Sequence, residues 1–319
     1  MLILISLFAF VDGFCYTSNI NKAKYQRISS ILLDTNTQTQ DIGIRKSDNN
    51  RLDRKSILRL NQRRLPKQIV NCRADTQKAL SLLEKAYPHL QVSHKLIEAD
   101  DVDCSYDSLL GILNHEEYHL KEHDIQIVDG KSIVAILEVL RKAYIVPTAA
   151  LELLRLTAVA VQHNQEVLHI DEEILRDDKN ELRRVYKAVI SLLGHTSKRL
   201  VSSSRLILYI LHHHMPEVSK LKPGAEIYHA AINSLGKAGQ CSVILDILEE
   251  MEQSSNPQTE TNVPPIDKMA YQTAISSLAR HGYCHEAVQL LYQMQDKGLV
   301  SDMSIYNELL IGIAKQALI

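Results

Sequence analysis

The segment His115-Glu116-Glu117-Tyr118-His119 is where residue types and spacing come nearest to spelling a catalytic centre. Two imidazoles four residues apart on a helix face the same way and can share a zinc ion. The glutamate between them can then take a proton from the bound water. Such a site needs a third ligand. At the metzincin spacing the chain has Ile125, and Glu138 is a distant candidate. Glu117 places charge between the pair, and Lys121, Glu122, His123 and Asp124 follow. The segment therefore reads as the solvated end of a helix running from Tyr106 to His119. His212-His213-His214 reads similarly, as a solvated helix C-terminus favoured by the dipole. Five cysteines (Cys15, Cys72, Cys104, Cys241, Cys284) show no paired spacing, which argues against a zinc clip or a disulfide framework and suits a reducing compartment. No catalytic residue, metal or cofactor is assigned.

A second set of residues carries binding chemistry by recurrence. Directly after Tyr186, Tyr228, Tyr271 and Tyr306 stand Lys187, His229, Gln272 and Asn307, polar residues on otherwise apolar helices. Nine residues after the same tyrosines stand His195, Lys237, Arg280 and Lys315. Each of these lies about two turns beyond the polar residue of its helix, on the same face. Stacked helices would align them into a row able to meet successive phosphates. A cation in a last turn also offsets the helix dipole by roughly 0.3–1 kcal/mol with no ligand at all.

The elements that must position these residues are repeated. Tyr271 to Tyr306 is 35 residues and Tyr228 to Tyr271 is 43, the excess fitting the polar run Ser254 to Pro265. In one unit Tyr271, Ala274, Ile275 and Leu278 recur at helical spacing, and Gly282 stands where a C-cap glycine belongs. Ala287, Val288, Leu290, Leu291 and Met294 carry a second stripe, which Gly298 and Asp302 break. One unit is thus helix, turn, helix, connection, and units of this period bury their apolar faces by stacking. Tyr186 lies 42 residues before Tyr228 and opens a diverged unit whose second helix is expected from Ser202 to Met215.

These residues resemble the pentatricopeptide repeat family. The resemblance rests on Tyr306-Asn307 through Lys315, on Glu286-Ala287 through Met294, and on Lys297-Gly298 with Asp302. Tetratricopeptide repeats, with a period of about 34 and a favoured tryptophan, fit less well because this chain has no Trp. The resemblance implies an all-α, right-handed superhelical solenoid of helix-turn-helix repeats that binds single-stranded RNA. It also implies that the residue after each Tyr, with the last residue of the unit, reads one base. By position the pairs are His229 with Asp267 and Gln272 with Asp302, while Asn307 has no partner within the chain. His229, Gln272 and Lys187 depart from the family's usual residue.

The remainder frames this reading. From Asn21 to Arg73 there are thirteen Lys and Arg against four Asp and no Glu. Such an acidic-poor segment, behind the apolar run Met1 to Gly13, is expected to be an import leader. The junction Val11-Asp12-Gly13-Phe14 resembles the signal boundary of algae with complex plastids, so a plastid is expected, with the mitochondrion as alternative. The expected divisions are a disordered leader at 1–70, a diverged helical region or cap at 74–180, and repeats at 181–319. Within the last, units fall at 182–224, 225–267 and 268–302, with a partial unit at 303–319. Residues 225–319 hold five Lys and Arg against eleven Asp and Glu. High affinity for RNA would then need a partner or further repeats. Further units or a partner are also expected to cover Leu309, Leu310, Ile313 and Ala314. The leading expectation is a non-enzymatic organellar RNA binder in transcript processing, stability or translation, with no membrane association once the leader is removed. A protein-binding scaffold is the alternative, and a zinc hydrolase at His115 and His119 the third.

Overall fold

A computed structural model describes residues 61–72, 75–90, 92, 105–115, 126–142, 147–166, 172–196, 202–253 and 264–317. These belong to one compact body, Ser56–Ile319, and the expected leader before residue 61 lies outside them. The described residues are helical, without a strand. Residues 61–71 form a helical stretch, followed by α1 (Thr76–Ala86), α2 (Tyr106–Leu113), α3 (Gly130–Lys142), α4 (Thr148–Glu166) and α5 (Glu172–Thr196). Next come α6 (Ser202–Tyr209), continued by π-helical turns over Ile210–Val218, then α7 (Ala225–Ala238) and α8 (Cys241–Gln253). The chain closes with α9 (Lys268–Arg280), α10 (Cys284–Asp296) and α11 (Met303–Ala317).

Local chemistry sets these boundaries. Asp75 caps α1, its carboxylate accepting from the Lys78 amide at 3.0 Å, and Asp267 caps α9 through the Ala270 amide at 2.9 Å. Gly239, at φ 73°, ends α7 in the left-handed conformation that only glycine adopts without strain. The helices then form two layers. The first helices α3, α5, α7, α9 and α11 pack side by side in chain order, while α4 lies against α5, α6 against α5, α8 against α7 and α10 against α9. One continuous core runs from Leu65 to Leu309.

Small residues fix the spacing of the first layer. A Cβ added at Gly194 of α5 would stand 2.7 Å from Ser234 Cα of α7, and one at Gly236 of α7 would stand 2.6 Å from Ser277 Cβ of α9. One at Gly312 of α11 would stand 2.5 Å from the Ala279 carbonyl of α9. At all three junctions the residue eight after one tyrosine meets the residue six after the next. Tyr186 therefore shares the register of the later repeats.

The structure corrects three expectations. Residues 61–70, counted with the leader, bury Leu65 and Ile69 in the core. Their basic composition belongs to one solvent face, where Arg63, Arg64 and Lys67 are exposed. The helix expected to reach His119 ends at Leu113, with Asn114 as its C-cap. The second helix of the diverged unit continues to Val218 in spite of Pro216, which removes an amide and crowds the carbonyl four residues back. The wider π turns absorb this, with the Ser219 amide bonding the carbonyl five residues back, on His214, at 3.1 Å. Among the described residues no helix is long and apolar enough to cross a membrane.

Candidate nucleic-acid interface

Each first helix carries its tyrosine as the fourth residue in α7, α9 and α11. Tyr186, Tyr228 and Tyr271 are buried; one residue on, about 100° around the helix, the next side chain reaches the layer's open face. Lys187 and Asn307 are exposed there, and His229 and Gln272 are half-buried.

The two expected pairs come together. His229 Nε2 lies 2.7 Å from Asp267 Oδ1, and Gln272 Nε2 donates to Asp302 Oδ2 at 2.8 Å. Asp267 bonds His229 while it caps α9, and Asp302 directly precedes α11. Capping alone would thus favour an aspartate at the end of a unit; the contact across to the preceding first helix is the additional feature. Lys268, which the sequence reading passed over, donates to Asp302 Oδ1 at 2.9 Å. Its ammonium, first, and the Gln272 amide, second, hold the Asp302 carboxyl below the usual range. Asn307 has no partner among the described residues.

The basic row is formed but partly neutralised. His195 of α5 and Lys237 of α7 approach to 3.3 Å, Nζ to Nε2. Burial, then Arg141 and Arg280, lower the Lys237 ammonium; burial, then Lys237 and Arg141, lower the His195 imidazole. Arg141, in the last turn of α3, belongs to this cluster although no tyrosine register marks it, which is why sequence reasoning missed it. It forks onto Glu138 at 2.9 and 2.5 Å, beside a groove of about 290 Å³ that His195 and Ser191 also line. Arg280 reaches Glu308 at 3.3 Å, and Lys315 is exposed on α11.

The other sequence candidates separate. His115 lies beyond the cap of α2, and its carbonyl accepts from Arg155 Nη1 at 3.0 Å; Glu116 to His119 lie outside the described residues. No group of three or more His, Cys, Asp or Glu able to hold a metal occurs among the described residues. The three histidines do not form one solvated end. His214 is buried, its Nδ1 2.7 Å from the Tyr186 hydroxyl, and burial lowers its imidazole to about 4.

Residues 226–255 and 269–299, which are α7 with α8 and α9 with α10, match the family model of the pentatricopeptide (PPR) repeat. The chain carries pentatricopeptide repeats. Among solved structures it is similar to the pentatricopeptide repeat protein PPR10 from maize, at 14% identity and a TM-score of 0.35. That similarity covers 66% of this chain and 29% of that one, so the chain spans less than a third of PPR10's length. No curated protein matches the sequence. The matched residues include His229, Lys237, Gln272 and Arg280, while Asp267, Asp302 and the diverged unit around Tyr186 lie outside the match.

Proposed function

We propose that this protein binds single-stranded RNA in an organelle, a plastid with the mitochondrion as alternative, and acts in transcript processing, stability or translation. Proteins of this repeat family are typically RNA-binding and generally non-enzymatic. The observation that carries the reading is the pairing of His229 with Asp267 and Gln272 with Asp302. Each pair links a first helix to the start of the next repeat, so that an imidazole or amide edge is fixed at the open face. Polar edges held this way can hydrogen-bond an unstacked base. The acidic-poor segment before residue 61, from Asn21 on, holds nine Lys and Arg against four Asp and no Glu and supports import.

The row nine residues beyond the tyrosines would meet phosphates. Arg280 must exchange Glu308 for a phosphate to do so, and His195 and Lys237 would gain from an anion between them. The test is retention of organellar RNA by the purified protein and by its Lys237→Glu/Arg280→Glu variant across a salt series. The proposal expects weaker retention and a shallower salt dependence in the variant; equal, salt-insensitive retention by both contradicts it. A protein-binding role has its own support in Leu310, Ile311 and Ile313, which α11 leaves exposed.

A further inference from the structure

Helix α5 is 25 residues long, against 14 for α7 and 13 for α9. The tyrosine register locates the excess. Tyr186 is the fifteenth residue of α5, whereas each later tyrosine is the fourth of its helix. Some three extra turns, about 16 Å at 1.5 Å per residue, therefore precede the repeat portion. On them Arg176, Lys179 and Arg183 fall on the face of Lys187, within an arc of about 80° at ~100° per residue. Successive members of such a column stand about 5–6 Å apart.

Composition conceals this face, because α5 has five cations and five carboxylates. The fold separates them. Asp178 is buried, its Oδ2 accepting from Asn164 Nδ2 at 2.8 Å. Glu181 pairs with Arg184 and packs over Gly130. Glu172 is the one carboxylate within the arc, and Glu173 and Asp177 lie beyond its Lys187 edge, by about 40° and about 80° at ~100° per residue. Among the described residues Arg176, Lys179, Arg183 and Lys187 make no ion pair; Arg183 bonds only Asn180, at 2.9 Å. Three cations after Tyr228 are more committed, Lys268, Arg280 and Lys297 each facing a carboxylate, while Lys237 faces His195. Arg176, Lys179 and Arg183 also line one surface groove, together with Glu172 and Leu175.

We propose that Arg176, Lys179, Arg183 and Lys187 form a phosphate-binding track for the backbone of a single-stranded RNA running off the reading face. This inference rests on the RNA reading above and places the main electrostatic contribution outside the matched repeats. The column ends on Lys187, the polar position of the diverged unit, so one strand can occupy both surfaces. A lipid surface is the less fitting polyanion, because none of the large exposed apolar side chains lies on α5 and an interfacial helix needs them.

The experiment measures binding of a 20-nucleotide oligouridylate to the full chain across a potassium chloride series, beside Arg176→Gln/Lys179→Gln/Arg183→Gln and Glu172→Gln. The triple variant should lose about two from the log–log salt slope, at about 0.7 per single-strand phosphate contact, and about tenfold or more in affinity near 0.1 M salt. Glu172→Gln should tighten binding about twofold. Equal melting temperatures exclude a folding defect. Firm wild-type binding with an unchanged slope in the triple variant overturns the track and leaves the RNA reading standing. No wild-type binding to RNA overturns both. Column-dependent binding to vesicles of anionic phospholipid, without RNA binding, overturns the track in favour of a membrane.

Discussion

The region before Tyr186 and the repeats after it solve the same packing problem with different chemistry. In the first, buried polar groups tie elements together. The Tyr87 hydroxyl donates to Asp129 Oδ2 at 2.7 Å and the Ser132 hydroxyl to the same oxygen at 2.6 Å. Asn164 joins the Gln126 carbonyl, the Gln126 amide and Asp178, each at 2.8 Å. In the repeats the side-chain pairs between units are exposed or half-buried, the Ser234 hydroxyl donating to the Ile190 carbonyl at 3.0 Å is buried, and what fixes the stack is the small-residue register at Gly194, Gly236 and Gly312. A steric register can be copied from unit to unit; a buried network specifies one arrangement. The diverged unit has both, since Tyr186 also bonds Ser219 at 2.5 Å and His214 at 2.7 Å.

That contrast can be broken at its strongest point by Asp129→Ala. It strands the Tyr87 hydroxyl and the Ser132 side chain in the core, and should cost about 3–4 kcal/mol, read by chemical denaturation. Acid should probe the diverged unit almost as hard. His214 takes its proton near 6.5 when unfolded and at about 4 when folded. The unfolded chain therefore binds more protons between those values. The stabilisation is complete above pH 6.5 and falls by up to about 3 kcal/mol as pH drops towards 4. His89, also at about 4 through burial, adds to the same decline. His214→Phe removes that residue's share, so the pH dependence of its melting temperature should flatten.

Smaller effects test the repeats. Gly194→Val should cost about 2–3 kcal/mol, because the added carbons meet the Ser234 backbone and cannot be relieved by a rotamer change. Arg280→Ala removes only an exposed pair with Glu308 and should change stability by less than about 1 kcal/mol in a thermal melt. A large loss there would mean that surface pairs, rather than packing, hold the stack.

How much was legible in the sequence follows the same division. The repeats could be read because one geometry recurs: the tyrosine fixes the buried face and the glycine the turn. The residue after the tyrosine then has to face outward. The pairs His229 with Asp267 and Gln272 with Asp302 came by position from the resemblance, and that the members of each pair touch is seen only in the structure. Before Tyr186 each buried polar contact occurs once, so Asp129, Asn164 and Arg155 gave no pattern to find. His214 stands four residues after Ile210 and seven after Ile207, on the face that helical spacing buries, but the run of three histidines at a helix end was read by its polarity alone. The basic column on α5 was hidden by its balanced composition and became visible only when Asp178 and Glu181 were seen to turn away.

Backbone hydrogen exchange with and without a single-stranded RNA bears most directly on the claim that the first helices present a shared reading face. The account predicts slowed exchange in α7 around His229 to Lys237 and in α9 around Gln272 to Arg280, with little change in α8 and α10. Protection confined to α8, α10 or the exposed side of α11, with α7 and α9 unaltered, would contradict it.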